Sequence, residues 1–485
     1  MLGRKLFLPP VLLSILWLML LGLPSWDRPA VADEHSEFEP TWESIKKHRV
    51  PDWYQDAKLG IFIHWGLYSV PGWAPPTGEL GQVAWSEWFA NNPYAEWYLN
   101  TWRIPDSQTR QYHLKTYGGD FDYLDFVPQF NREIQKWNPE EWAGLFKKVG
   151  ARYVVLTTKH HDGFTLWPSQ VRNPHRKPDQ QSAKRDLVGE LTAAVRRQGL
   201  RMGLYYSGGL DWSFTSIPIT SINDLRATTP QSDEYARYAD AHWRELMERY
   251  RPAILWNDIS YPKKGAVKEI FAEFYNRQPD GVINNRWGVD FADITTPEYA
   301  KYDHITPQKW ESCRGIGFSF GFNRAEGPEH MLSVDKLVDL LVDIVSKNGN
   351  LLLNIGPMAD GTIPAHQLER LKGLGAWLRV NGEAIFETRP WVRAEGKTIQ
   401  GTPVRYTVKG DSAYAILLET PAGVDLTLES LFAADNTLIQ NLGSSTKLAW
   451  SQKGRDLHIK LPAPLSDSPA HAFKITPRPW QLVRE

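Results

Sequence analysis

One cysteine serves all 485 residues. Cys313 can form no intrachain disulfide, so an oxidising compartment is tolerated without being exploited. It also lies far from the N-terminus, where lipid attachment would need a thiol. Charge of one sign is missing too: 55 Lys and Arg stand against 56 Asp and Glu, with no basic stripe. Nucleic acid and acidic surfaces are therefore poor partners for this chain. No glycine-rich nucleotide loop follows the first apolar strand, which argues against a doubly wound open sheet. No Gly-x-Ser-x-Gly supplies a nucleophile elbow. His160-His161-Asp162 invites a metal reading. Adjacent strand residues point to opposite faces, however, and no third ligand has motif spacing, so no metal is expected. Low-complexity tracts and short-period repeats are absent as well.

Two features are abundant. The first is an apolar N-terminal run, Leu6 to Leu23, behind Arg4 and Lys5 and ahead of Ala30-Val31-Ala32. That order predicts a signal peptide over 1–32, a secreted or periplasmic protein, and no stable membrane span after processing. The second is tryptophan, with 22 residues. Indole faces are flat and apolar with a polar edge, which suits the C–H patches of a pyranose ring.

From Leu59 the pattern alternates between short apolar runs and helical spacing. Leu59 to His64, Tyr153 to Leu156, Met202 to Tyr206, Ala253 to Trp256, Val282 to Asn284 and Leu351 to Ile355 read as strands buried on both faces. Helices lie between them. One opens at Asn138-Pro139-Glu140-Glu141, where Asn138 can cap, Pro139 fits the first turn and Glu141 suits a capping box; Gly150 ends it. The stretch before residue 135 is dense in Trp, Tyr, Pro and Asn and is expected to be a loop-rich functional insertion. This alternation predicts a TIM-like (β/α)-barrel over 33–389. After Pro390, short strands separated by Gly, Asp, Ser and Pro predict an antiparallel β-sandwich over 390–485.

In such a barrel, chemistry belongs to the C-terminal ends of the strands. The polar residues there are His64, His160, His161, Tyr205, Asp258 and Arg286. Cys313 reads as buried and inert. Carboxylates, aromatics and neutral hydrogen-bonding groups remain, an inventory suited to glycoside hydrolysis, in which two carboxyls flank an oxocarbenium-like transition state. Asp258, on rigid backbone and walled by Trp256, is the natural nucleophile. Glu96, Glu298, Glu311, Glu326 and Glu329 are candidates for the acid, and the residues alone do not choose among them.

Gly60-Ile61-Phe62-Ile63-His64-Trp65-Gly66, Lys159-His160-His161-Asp162-Gly163-Phe164, Tyr205-Tyr206-Ser207, Leu255-Trp256-Asn257-Asp258 and Asn350-Leu351-Leu352-Leu353-Asn354-Ile355-Gly356-Pro357 together resemble family 29 glycoside hydrolases, the α-L-fucosidases. The resemblance implies a retaining, exo-acting enzyme that needs no cofactor and releases α-linked L-fucose through a covalent fucosyl-enzyme. It implies a fucosylated oligosaccharide or glycoconjugate as partner and leaves homo-oligomerisation open. Asp258 matches the nucleophile. Glu298, in Thr296-Pro297-Glu298-Tyr299, matches the acid/base, with Glu96 as runner-up. His64, Glu96, Trp97, His160, His161, Tyr205, Trp256, Arg286 and Phe320 match the fucose-binding shell. The alternatives are an inactive fucose-binding scaffold and a retaining hydrolase of a related galactoside.

Overall fold

The apolar runs become strands with both faces covered. The computed structural model describes residues 37–480; the expected leader, 1–32, lies outside them. Seven strands, β1 (Leu59–Ile63), β2 (Tyr153–Lys159), β3 (Arg201–Ser207), β4 (Ile254–Asp258), β5 (Val282–Ile283), β6 (Trp310–Gly315) and β7 (Gly349–Ile355), form one sheet in the order β5-β4-β3-β2-β1-β7-β6. Every pairing is parallel. The first strand, β1, lies mid-sheet between β2 and the last strand, β7, and bridges from residues 294–298 to Asn284 beyond β5 and to β6 show that the sheet curls until its ends approach each other.

Residues 293–299 fill the gap between β5 and β6. The Asp293 amide donates to the Ile283 carbonyl at 3.0 Å, and the Glu311 and Cys313 amides donate to Thr295 and Pro297 at 2.8 and 3.1 Å. This eighth stave is irregular. Pro297 has no N–H to donate, and the stave joins its neighbours only through isolated bridges. β6 and this stave are the two barrel elements that the apolar pattern does not announce.

The helix Pro139–Val149 shows the local logic of the outer layer. The Asn138 side chain accepts from the Glu140 amide, and Gly150 takes φ 98°. Trp142, Phe146 and Val149 are buried on the face toward the sheet. Glu141 does not close a capping box on the backbone; its carboxylate instead accepts from the Asn138 side-chain amide at 3.1 Å.

The insertion before residue 135 is not loop-rich. It contains helices Trp85–Ala90, Tyr98–Arg103, Gln108–Tyr117 and Val127–Glu133, joined by 3-10 turns. Their aromatics pack on one another rather than along one stripe, as with Trp88 against Phe89, Tyr94 and Trp97. No helical period therefore stands out. Among the described residues, no helix is long and apolar enough to cross a membrane.

From Arg389 onward the strands are antiparallel. A five-stranded sheet contains β8 (Arg389–Lys397), β9 (Pro403–Lys409), β10 (Ser412–Leu417), β12 (Leu438–Asn441) and β15 (His471–Thr476). A three-stranded sheet contains β11 (Asp425–Leu428), β13 (Ala449–Lys453) and β14 (Asp456–Lys460). Strand alternation gives β10 two duties. Ala413, Ala415 and Leu417 face the core between the two sheets. Tyr414 and Ile416 join the barrel's hydrophobic core.

Candidate active site

Strand direction and parity bring the polar side chains together. His64 follows β1 on the same face as Phe62, and Asp258 ends β4 on the same face as Trp256. His160 and His161 follow β2, Tyr205 lies on β3, Arg286 follows β5, and Glu298 sits on the eighth stave. All of these line one cavity of about 720 Å³, together with Glu96, Trp97 and Phe320 from the intervening loops. Every residue that the sequence singled out for the sugar site is therefore in one place. The expectation that His160 and His161 face opposite ways is corrected. They lie beyond Lys159, where strand alternation has ended, and their rings are 3.9 Å apart.

Arg286 joins the two principal carboxyls. Its Nη1 donates to Asp258 Oδ1 at 2.9 Å and to Glu298 Oε2 at 2.8 Å. These two oxygens are thus at most 5.7 Å apart, the two bonds laid end to end. The guanidinium is held from behind by the hydroxyl and carbonyl of Thr296. It also lies 4.7 Å from the Trp256 ring centroid. Tyr205 donates to the other Asp258 oxygen at 2.9 Å, and Tyr94 donates to the other Glu298 oxygen at 2.9 Å. Burial pushes the Asp258 carboxyl up. The Arg286 charge, with the hydrogen bonds from Arg286 and Tyr205, outweighs it and holds the carboxyl below its ordinary range.

The imidazoles are neutral for a stated reason. Burial drives His64 to about 3 and His161 to about 4, and takes His160 well below its usual value. Asn354 donates from Nδ2 to the Phe320 carbonyl at 2.7 Å, so its Oδ1 accepts from His64 Nδ1 at 2.7 Å. Ser207 gives its proton to the Leu210 carbonyl at 2.7 Å, so His161 Nδ1 donates to the Ser207 oxygen at 2.6 Å. The Nε2 atoms of His64 and His161 are left as acceptors.

The five candidate glutamates separate clearly. Glu96 lines the cavity; its Oε2 accepts from the Gly321 amide at 2.7 Å and the Ser319 hydroxyl at 3.3 Å. Burial raises it to about 8 against those hydrogen bonds. Glu311 is buried beneath the cavity, bound by Trp256, Tyr54 and Tyr153. Glu326 is turned to the Ser319 amide at 2.7 Å and does not line the cavity. Glu329 is largely exposed. Only Glu298 and Glu96 therefore share the cavity with Asp258.

Sequence reasoning missed two neighbours. Tyr94, two residues before Glu96, donates to Glu298. Cys313 is buried, as expected, yet lines the cavity 3.4 Å from Arg286 Nη2. It lies on β6, a strand that the apolar pattern does not announce, so no signal in the sequence placed it at the cavity.

The geometry has counterparts. A family model described as Alpha-L-fucosidase matches residues 28–383, and one described as Alpha-L-fucosidase C-terminal domain matches 397–476. The chain is 36% identical over 461 residues to human tissue alpha-L-fucosidase, covering 92% of each chain. It is 36% identical to human plasma alpha-L-fucosidase, covering 89% of this chain and 90% of that one. Among solved structures, a Thermotoga maritima alpha-L-fucosynthase in complex with alpha-L-Fuc-(1-2)-beta-L-Fuc-N3 superposes with a TM-score of 0.85 at 49% identity, covering 91% of this chain and 100% of that one. The Thermotoga maritima alpha-fucosidase in complex with a mechanism-based inhibitor gives 0.83 at 48% identity, covering 90% and 100%.

Proposed function

The chain belongs to the α-L-fucosidase family of glycoside hydrolases, family 29, and from that premise we propose that it releases terminal α-linked L-fucose by double displacement, with Asp258 as nucleophile and Glu298 as acid/base. One observation carries the assignment: a single guanidinium nitrogen contacts both carboxyls, which limits the separation of those two oxygens to 5.7 Å. Retaining glycosidases hold their carboxyls ~5–5.5 Å apart, whereas inverting enzymes leave ~6.5–9.5 Å for a water.

An Asp258 oxygen attacks the anomeric carbon as the bond to the leaving oxygen breaks, and the Glu298 proton goes to that oxygen. Water then attacks the same carbon, the bond to Asp258 breaks, and the water's proton returns to Glu298. Asp258 suits the first step because it is kept ionised. The Tyr94 hydroxyl serves both states of Glu298, donating to the carboxylate and turning to accept from the acid. The remaining predicted residues form the fucose shell. His64 and His161 offer bare Nε2 acceptors to sugar hydroxyls, and Phe320 and Trp256 offer apolar faces to the C5 methyl.

The test is stereochemical. NMR of the first-formed product should show α-L-fucose, the retained anomer; the β anomer would exclude double displacement. Asp258→Gly should lower kcat by roughly 10⁴ or more. Azide should then restore turnover as β-L-fucosyl azide, since a small anion fills the space left by the carboxylate. An active Asp258→Gly enzyme would remove Asp258 from this role.

A further inference from the structure

The end of the barrel away from the sugar site holds two lysines that the proposed chemistry does not use. Lys58 stands one residue before β1 and Lys309 one residue before β6, so both sit at the N-terminal ends of the strands. They are 0% and 2% exposed. Both Nζ atoms are buried, and neither has a hydrogen-bond partner among the described residues. The amines lie close enough for each to act on the other's charge. Lys58 is held there with φ 60°, a value that residues with a Cβ rarely adopt. Arg389 adds a third cation, already paired with Asp56 at 2.6 Å. The other carboxyl facing the pair is Glu311, whose oxygens are taken by Tyr54, Tyr153 and Trp256.

With both lysines protonated, three cations meet two carboxylates, and one positive charge is unbalanced. Losing a proton does not repair this. An ammonium facing an amine still carries N–H groups with no acceptor, and an unmade hydrogen bond in a dry interior is destabilising. Lys309 also lines a cleft of about 1470 Å³ whose wall carries Lys46 and Arg49. Asp290 and Asp293 line it too, but Asp293 is occupied by His48 and Tyr275. A small anion thus has a route to the pair. We propose that Lys58 and Lys309 bind one monovalent anion of halide size between their amines. Such an ion accepts from both nitrogens and restores the charge balance. A large anion such as gluconate cannot sit between two fully buried nitrogens.

The melting temperature of the full chain is measured in sodium gluconate and in sodium chloride or bromide at equal ionic strength. Halide should raise it by about 2 °C or more and the effect should saturate, as mass action requires of an ion that binds only the folded chain. Burial and the Arg389 charge lower Lys58 to about 7. The anion favours the protonated amine, so the halide shift should be larger near pH 6 than near pH 9. Lys309→Met keeps an apolar stem and removes the amine; it should melt at one temperature in all three salts, with near-ultraviolet circular dichroism as the folding check. Wild-type crystals grown in bromide should show an anomalous peak between the two nitrogens. A halide shift that persists in Lys309→Met, or wild-type melting that ignores halide with no bromide peak, would overturn the inference. So would a shift given by phosphate and not by halide, which would put the anion in the open cleft. If Lys309→Met does not fold, the bromide peak decides alone.

Discussion

Arg286 forces two carboxyls into one site and so defines the chemistry at the scale of single residues. The groups around it can be separated by experiment. Glu298→Ala should reduce kcat/KM by roughly 10³ for glycosides with poor leaving groups and by less than about tenfold for activated aryl fucosides, which depart without a proton. Equal losses across leaving groups would mean that another residue is the acid. Glu96 makes the opposite kind of prediction, because its folded pKa of about 8 lies above the ordinary carboxylate value. A carboxyl raised on folding stays protonated while its unfolded counterpart ionises, so it costs stability progressively above the unfolded pKa and ceases to add cost above about 8. Glu96→Gln should therefore raise the melting temperature at pH 7 by about 2–4 °C and leave it unchanged near pH 4. The same change should flatten any rise of KM above pH 8, where wild-type Glu96 ionises in the sugar site. Calorimetry at the two pH values, with a pH series of KM, checks both signs. An unchanged melting temperature at pH 7 would mean that Glu96 is already ionised in the folded protein.

The elements that carry these residues were legible where the physics was local. β4 and β7 are short runs buried on both sides, and such runs announce themselves by composition. The eighth stave was not legible, because residues 285–292 connect it to β5 without a helix and Pro297 breaks its ladder. Sequence could nominate Glu298 by motif, but not the stave that aims it. The turn after Asp258 was equally hidden. Ile259 and Ser260 both take positive φ, 57° and 78°, and a β-branched residue is strained there. Contacts from outside hold the turn: the Ser260 amide donates to the Arg286 carbonyl at 2.9 Å, and the Gly209 amide donates to the Asp258 carbonyl at 3.0 Å. Gly209 approaches so closely that an added Cβ would lie 1.6 Å from the Ile259 oxygen. Backbone must then move, and the backbone in question carries Asp258. Gly209→Ala should cost about 2 kcal/mol in chemical denaturation. It should also lower kcat on aryl fucosides by tenfold to about 10², as expected when a reacting group shifts by up to ~1 Å. A destabilised variant with full kcat would show that the turn relaxes without displacing Asp258.

At the scale of the whole molecule, the antiparallel sheets and the barrel share side chains across their contact. β10 contributes one parity to each core, an arrangement that strand alternation allows but that sequence cannot assign without knowing what lies on each side. Asp343, on the barrel helix Val334–Ser346, makes the same junction with charge. It pairs with Arg405 of β9 at 2.6 Å, Lys347 at 3.0 Å and Lys301 at 2.7 Å. Lys301 lies three residues beyond Glu298. Burial raises the Asp343 carboxyl, but the bonds from Lys301, Arg405 and Lys347 outweigh it and leave the pKa lowered. A carboxyl depressed on folding contributes stability that is complete above the unfolded pKa and is lost as pH falls through the folded one. Asp343→Asn removes the carboxylate that Lys301, Arg405 and buried Lys347 share, and leaves Glu395 as the remaining partner of Lys347 and Arg405. Removing one partner from a buried network costs up to roughly 3 kcal/mol, less where Glu395 still pairs with the cations, so the melting temperature should fall at pH 7 and the deficit should shrink as pH drops below about 4, the ordinary carboxylate value, toward the lower pKa of the folded carboxyl. If the junction only braces the barrel, kcat at 25 °C should stay within about twofold of wild type, because neither Asp258 nor Glu298 touches Asp343. A fall in kcat with an unchanged melting temperature would mean instead that the junction sets the position of Glu298 through the Lys301 segment.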